Sequence, residues 1–189
     1  MNLNYIQIRE TKTEDFNDIM QVETLAFGYD KEARLVAELL NDKTAEPLLS
    51  LLAFYKEEAI GHILFTRAYL EGQNEQPLIH ILAPLAVKPD YQKKGVGGML
   101  INEGIRLLRE MGSLLVFVLG HKEYYPKFGF LPDAKHLGFQ APYPIPDEYS
   151  DYWMVQSLTG NVSGLKKGKV RCSDILNRPE HWRDEESDR

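Results

Sequence analysis

One cysteine, Cys172, is all that 189 residues carry. That excludes an internal disulfide and any metal site built from several thiolates. Long apolar runs are also missing: none approaches the roughly 20 residues that a membrane-spanning helix needs. The opening stretch MNLNYIQIRE lacks the apolar core of a signal peptide, so a cytoplasmic protein is expected. Positive charge is in deficit, with 22 Lys and Arg against 28 Asp and Glu and a net charge of −6. A nucleic-acid binder usually shows the opposite balance. No internal repeat is present, which sets aside solenoids and propellers.

What is there is an ordinary globular composition, 43% hydrophobic and 26% charged. The length allows one domain with a sizeable core, or one domain plus an appendage. YIQIRE (5–10) alternates as a strand does. Thr11 and Glu14 have capping-box spacing and predict a helix start. On that helix Phe16, Ile19, Met20, Glu23, Ala26 and Phe27 share a face, with Glu23 the one acid on an apolar stripe. Residues 31–40 predict a second amphipathic helix, and residues 48–70 two strands around a turn near Lys56–Glu58. LIHILAPLAV (78–87) predicts a strand carrying Pro84, which cannot donate to a ladder and so marks a bulge or an unpaired edge. A helix over 96–111 follows, then the fully apolar LLVFVLG (114–120), which suits a strand buried on both faces. HKEYYPKFGF (121–130) predicts a short helix and turn, YWMVQSL (152–158) a last core strand, and GKVRCSDI (168–175) one more strand. NRPEHWRDEESDR, from Asn177 on, predicts a loose polar tail. The order of elements fits a mixed α/β sheet.

The stretch LAPLAVKPDYQKKGVGGML (82–100) needs an explanation, because Gly95, Gly97 and Gly98 crowd the mouth of a helix. Each costs about 1 kcal/mol relative to alanine in a helix. A helix start has unpaired N–H groups and a positive dipole, and a phosphate satisfies both. Phosphate oxygens approach backbone closely only where no Cβ intervenes. The run lacks the Gly-Lys-Ser/Thr ending of a Walker loop and the third glycine of a dinucleotide fingerprint. Tight helix packing is the alternative use of the same glycines.

QKKGVG (92–97) resembles the Q/R-x-x-G-x-G/A motif of the GNAT superfamily of N-acetyltransferases. LAPLAVKPDYQ before it resembles that family's fourth strand and following loop, and YYPKFGF (124–130) its short helix after strand five. The resemblance covers about residues 3–158 and is strongest to the YhbS-like acetyltransferases; 159–189 is expected to be a C-terminal extension. It implies a GNAT-type mixed, mostly antiparallel twisted sheet flanked by helices, with two central strands splayed apart to form a cleft for CoA. It implies acetyl-CoA as the acetyl donor, and no metal. Gln92, Lys93, Lys94, Gly95, Val96, Gly97 and Gly98 would hold the pyrophosphate on backbone N–H groups, and the edge Leu85, Ala86, Val87 would pair with the pantetheine arm. Tyr125 aligns with the family tyrosine that donates to the CoA sulfur and so also touches the cofactor.

Acetyl transfer to an amine needs a neutral amine, an oxyanion stabiliser and an acid for the departing thiolate. A phenol suits the last role, which falls to Tyr125, with Tyr124 beside it as the packing aromatic for comparison. Glu23 is the leading candidate for the base, because an acid on a core-facing stripe needs a reason. His80 and His62 on strands, or a water chain, are the alternatives, and a strand histidine is more often structural. His121 stands where many relatives have asparagine. Tyr143, Tyr149, Tyr152 and Trp153 follow a proline-rich loop and would wall an acceptor pocket or fill the core; helix 31–40 would line the acceptor side. The expected activity is N-acetylation of a small amine, with a protein or peptide acceptor, or a non-catalytic acyl-CoA-binding module, as the competing readings. Partners expected are acetyl-CoA and an amine, with no nucleic acid and no membrane, and a homodimer is left open.

Overall fold

A computed structural model of the chain describes residues 3–159 and 166–182. Its strands in chain order are β1 (Ile6–Glu10), β2 (Leu49–Tyr55), β3 (Glu58–Leu70), β4 (Ile79–Val87), β5 (Leu115–Leu119), β6 (Phe139–Gln140), β7 (Trp153–Ser157) and β8 (Gly168–Cys172). The helices are α1 (Phe16–Phe27), α2 (Lys31–Leu39) and α3 (Val96–Glu110). The sheet runs β1-β2-β3-β4-β5-β7, with β8 added to the far end of β3 and β6 to β8. Pairing is antiparallel except for β4–β5 and the short β6–β8 ladder. The parallel β4–β5 pair follows from the α3 crossover, since parallel neighbours cannot be joined by a tight turn. No helix among the described residues is long and apolar enough to cross a membrane.

The two faces of the sheet carry separate cores. Ile19 and Val22 of α1 and Val36 and Leu39 of α2 pack with Leu52, Leu64, Ile81 and Phe117. On the other face Leu100, Ile101, Ile105 and Leu108 of α3 pack with Leu51, Ile63, Phe65 and Val116. Alternate residues of β2, β3 and β5 thus serve opposite helices, which is why those strands read as continuous apolar runs. Burying each such side chain contributes about 1.5–3 kcal/mol.

The break that makes a cleft is local. β4 and β5 stay in register from Ile79↔Leu115 to Leu82↔Val118, where pairing stops, while β4 runs on to Val87. Opposite β3, Ile63 faces Leu85 but Phe65 faces Leu82, so β4 spends three residues where β3 spends two. Ala83 and Pro84 are the bulged pair, as the missing N–H of Pro84 predicts.

Three expectations need correction. The start of α1 is not capped by a Thr11–Glu14 box: Asp15 instead accepts the Lys12 N–H at 2.7 Å and hydrogen bonds from Arg9 Nη1 and Nη2 at 2.6 and 2.8 Å. That pairing holds the Asp15 carboxyl down at about 2, the Arg9 hydrogen bonds being the main cause. The strand expected at 168–175 ends at Cys172, and residues 173–176 turn, with Asn177 N–H bonded to the Ser173 carbonyl at 2.8 Å. Residues 177–182 are not a loose tail. Arg178 pairs with Glu38 of α2 at 2.7 Å, and the Tyr143 hydroxyl donates to the Asn177 carbonyl at 2.7 Å. Trp182 packs edge-on to Trp153 at 5.8 Å. Residues 183–189 lie outside the described residues.

Candidate active site

The free edge of β4 beyond Leu82 has a cavity on either side, and Leu85 lines both. The first, about 500 Å³, lies between the strand end and the mouth of α3. Val87, Gln92, Lys93, Gly95, Val96, Gly97 and Gly98 line it. The Ala86 side chain is buried in the core under α1, and the Lys94 ammonium donates to the Asp90 carbonyl at 2.6 Å and lies over the Tyr91 ring, which leaves only their backbone groups to face this cavity.

Each glycine of the motif has its own reason. Gly95 caps α3 at φ 90°, a left-handed conformation that favours glycine. The first backbone bond of α3 runs from Met99 N–H to the Gly95 carbonyl, leaving the N–H groups of Val96, Gly97 and Gly98 ahead of it. A Cβ on Gly97 would stand 2.5 Å from the Tyr124 hydroxyl, and one on Gly98 would stand 2.8 Å from the Phe128 ring. Tight packing is therefore one use of these glycines. The missing side chains let the short 3-10 helix Tyr125–Phe128 close over the helix mouth, and Tyr124 and Phe128 complete the same cavity. Tyr124 is thus a cavity residue and not a mere packing neighbour of Tyr125.

The loop before α3 is pinned from below. Lys88, nearly buried at the end of β4, donates to Glu58 at 3.0 Å and to Gln21 at 3.2 Å. Glu58 also accepts the Tyr91 hydroxyl at 2.7 Å, and these two bonds, the tyrosine's first, hold its carboxyl below the usual range. Gln92 donates to the Val87 carbonyl at 2.9 Å. Unpaired N–H groups at a helix start, a backbone with no Cβ in the way and a strand edge with no partner fit the pyrophosphate and pantetheine of CoA.

The second cavity, about 610 Å³, opens on the other side of the edge. Its walls come from α1–α2 (Phe27, Tyr29, Leu35), the bulge Ala83–Pro84, the end of β5 and Leu176, His181 and Trp182. Tyr125 lines this cavity rather than the first, and its ring fills the space that Gly120 leaves without a Cβ. Burial, with the neighbouring Tyr124 adding to it, pushes the Tyr125 phenol well above its ordinary value, so it stays protonated at neutral pH.

The expected bases are elsewhere. Glu23 is fully buried and lines neither cavity; its Oε1 accepts from His62 Nδ1 at 2.5 Å. His62 Nε2 meets the Ser50 hydroxyl at 2.9 Å, so both its ring nitrogens are engaged. His80 is also enclosed, bonded to Ser113 at 2.8 Å and to the Pro47 carbonyl at 2.8 Å. Burial pulls its pKa down to about 4, and Arg67 adds to that. Glu23 earns its place on the stripe by meeting a histidine across the core, which the sequence pattern could not show. The titratable groups on the wall of the second cavity include His121 and His181. Burial, the largest influence, lowers His181 below the usual histidine value.

Of Tyr143, Tyr149, Tyr152 and Trp153, none lines the second cavity. Trp153 is core, its indole N–H bonded to the Phe139 carbonyl at 2.9 Å. Tyr143 braces Asn177, and Tyr149 and Tyr152 pack on one another nearer the surface. Helix α2 lines the second cavity. The missed wall is the segment around Trp182, whose only signal was a tryptophan with Ile175 and Leu176 in a polar stretch. Cys172 is buried on β8, and burial raises its thiol far above its usual value, so it is no nucleophile. Among the described residues no cluster of metal-binding side chains occurs.

The model of the acetyltransferase (GNAT) family matches residues 14–130. The chain is 55% identical over 174 residues to YjhQ of Escherichia coli K12, an uncharacterized N-acetyltransferase, covering 92% of this chain and 96% of that one. It is 35% identical over 112 residues to the uncharacterized N-acetyltransferase YhbS of the same organism, covering 59% of this chain and 65% of that one. The crystal structure of YhbS in complex with CoA superposes with a TM-score of 0.81 at 28% identity, over 92% of this chain and 93% of that one. A GNAT acetyltransferase from Brucella melitensis in complex with acetyl-CoA superposes with a TM-score of 0.71 at 27% identity, over 90% and 97%.

Proposed function

The chain belongs to the GNAT family of acetyltransferases, and we propose that it moves an acetyl group from acetyl-CoA directly to the amine of a small molecule. One observation carries the reading: a single unpartnered strand edge, Leu85–Val87, joins a glycine-rich helix mouth to a second cavity that holds a protonated tyrosine. When bound, acetyl-CoA supplies the activated acyl group as its thioester. The N–H groups of Val96, Gly97 and Gly98 hold its pyrophosphate, with Gln92, Lys93 and Gly95 around it. The β4 edge takes the pantetheine arm, so the reacting group is directed along Leu85 toward Tyr125. Tyr125 keeps a proton ready for the thiolate, and the amine's proton leaves through the acceptor wall, where burial keeps His181 a neutral acceptor. Glu23 serves as structure.

A small acceptor is favoured because the C-terminal segment walls the second cavity, and its volume suits a small ligand. We take residues 3–158 as the acetyltransferase domain and 159–189 as a C-terminal extension, of which Leu176, Glu180, His181 and Trp182 complete the acceptor side. A thermal-shift series with acetyl-CoA and free CoA, followed by thiol release against amines and peptides, tests the reading. Ligand at 100-fold its Kd adds about 2.7 kcal/mol of stability. No shift with either ligand at millimolar concentration removes the basis for it.

A further inference from the structure

We infer that the C-terminal segment 173–182 belongs to the acceptor site and that Trp182 selects acceptors by the flat apolar body they carry; this rests on the acetyltransferase reading above. The segment is fastened to the acceptor side at several points. Asp174 N–H donates to the Thr44 hydroxyl at 2.8 Å and Ile175 N–H to Asp42 at 3.2 Å. Arg178 holds α2 through Glu38, and α2 itself lines the cavity through Leu35. The indole of Trp182 is fixed in orientation, because its N–H donates to the Leu176 carbonyl at 2.8 Å. Trp153 braces it edge-on at 5.8 Å, and Trp153 in turn stacks on Phe117 of β5 at 5.3 Å with the planes 11° apart. A side chain braced in this way from the core, with the cavity beside it, makes a rigid platform.

Opposite elements bring Phe27 and Tyr29, whose rings lie 6.4 Å apart, to the same cavity. Aromatic rings favour offset or edge contacts with another ring. The charged residues there are mixed, Lys31 with Glu32 and Glu180, so no one-signed channel exists to hold a polyamine. The acceptor that fits is a primary amine on a short arm carrying an aromatic ring. In the reaction its nitrogen lone pair forms the N–C bond and the C–S bond breaks with its electron pair left on sulfur. The sulfur takes the Tyr125 proton, and the proton lost from nitrogen passes to His181 and returns from there through solvent to the phenolate.

The test uses the full chain with acetyl-CoA and three probe amines: 2-phenylethylamine, n-butylamine and spermidine. Wild type should prefer 2-phenylethylamine by about tenfold or more in kcat/KM, the scale of one good aromatic contact. Trp182→Ala should erase that preference through KM, with kcat and the calorimetric Kd for acetyl-CoA held. Trp182→Phe should restore most of it. Should Trp182→Ala fail to fold, Tyr29→Ala at a half-exposed position should weaken the preference about threefold, the scale of a partial contact. The chain has two tryptophans, so fluorescence quenching by 2-phenylethylamine that vanishes in Trp182→Phe reports binding without turnover. A preference for spermidine, or an aromatic preference untouched in Trp182→Ala and Tyr29→Ala, overturns the inference alone. Acetyl-CoA binding with turnover of no probe overturns it together with the small-amine reading, and failure to bind acetyl-CoA overturns the acetyltransferase reading itself.

Discussion

The two cavities that share Leu85 are built in opposite ways. The proposed cofactor side comes from neighbours in sequence: the end of β4, the loop to α3 and, some twenty-five residues on, the turn at Tyr124–Phe128. The proposed acceptor side gathers α1–α2, the β4 bulge, the end of β5 and a segment near residue 180. Groups that bind a constant ligand through backbone N–H need a local motif, because glycine spacing and a helix start set the geometry. Groups that bind a variable ligand through side chains need only converge in space. That difference predicts which substitutions touch one side and spare the other.

The largest effect should come from Gly97→Glu. Its Cβ meets the Tyr124 hydroxyl, and its carboxylate enters the place proposed for phosphate, where like charges repel. Affinity for CoA should fall by at least about 100-fold, or about 2.7 kcal/mol. Some melting temperature will go with it, because Tyr124 must shift. Gly97→Ala separates the two causes, since it adds the contact without the charge. Calorimetry showing wild-type CoA affinity in Gly97→Glu would assign the loop another role.

Tyr125→Phe comes next and probes the seam between the sides. The ring stays packed against Phe130, 5.6 Å away, so only the proton donor is lost. A positioned acid contributes about 10²–10⁴-fold, and the lower end is expected because a thiolate is a fair leaving group. The loss should fall on kcat with acetyl-CoA affinity held. Tyr124→Phe should do the reverse, weakening CoA binding slightly at constant kcat, because that hydroxyl lies over Gly97. Equal kcat for Tyr125→Phe and wild type, with chemistry rate-limiting, would leave Tyr125 as packing.

The same contrast explains what the sequence disclosed. Strands, helices and the β4 bulge were legible because alternation, helical period and Pro84 are local signals. The glycine-rich mouth of α3 was legible for the same reason. The pairing of Glu23 was not legible, because a pattern shows that an acid faces the core but not that His62, 39 positions on, meets it there. Trp182 was lost in a tail whose composition is polar, since the rings that hold it, Trp153 and Tyr143, are distant in sequence. The short β6, two residues long, has too few positions to show any period.

The smallest expected effect is also the most direct test of long-range assembly. Arg178 and Glu38 form an ion pair at 2.7 Å with side chains 43% and 47% exposed. A pair so exposed contributes at most about 1 kcal/mol to stability, so Arg178→Ala should barely move the melting temperature. The pair nonetheless joins the C-terminal segment to α2, and both line the acceptor cavity. Loosening it lets Trp182 sample other positions, and a platform that is correct only part of the time binds weaker by that fraction. KM for the preferred amine should therefore rise about two- to fivefold, within that same 1 kcal/mol limit, while kcat and acetyl-CoA affinity stay. Salt should mimic the substitution in wild type and do little in the variant, because exposed pairs are screened. A change in acetyl-CoA affinity as large as the change in amine KM would show that the two sides are not separately built, and the contrast between them would fail.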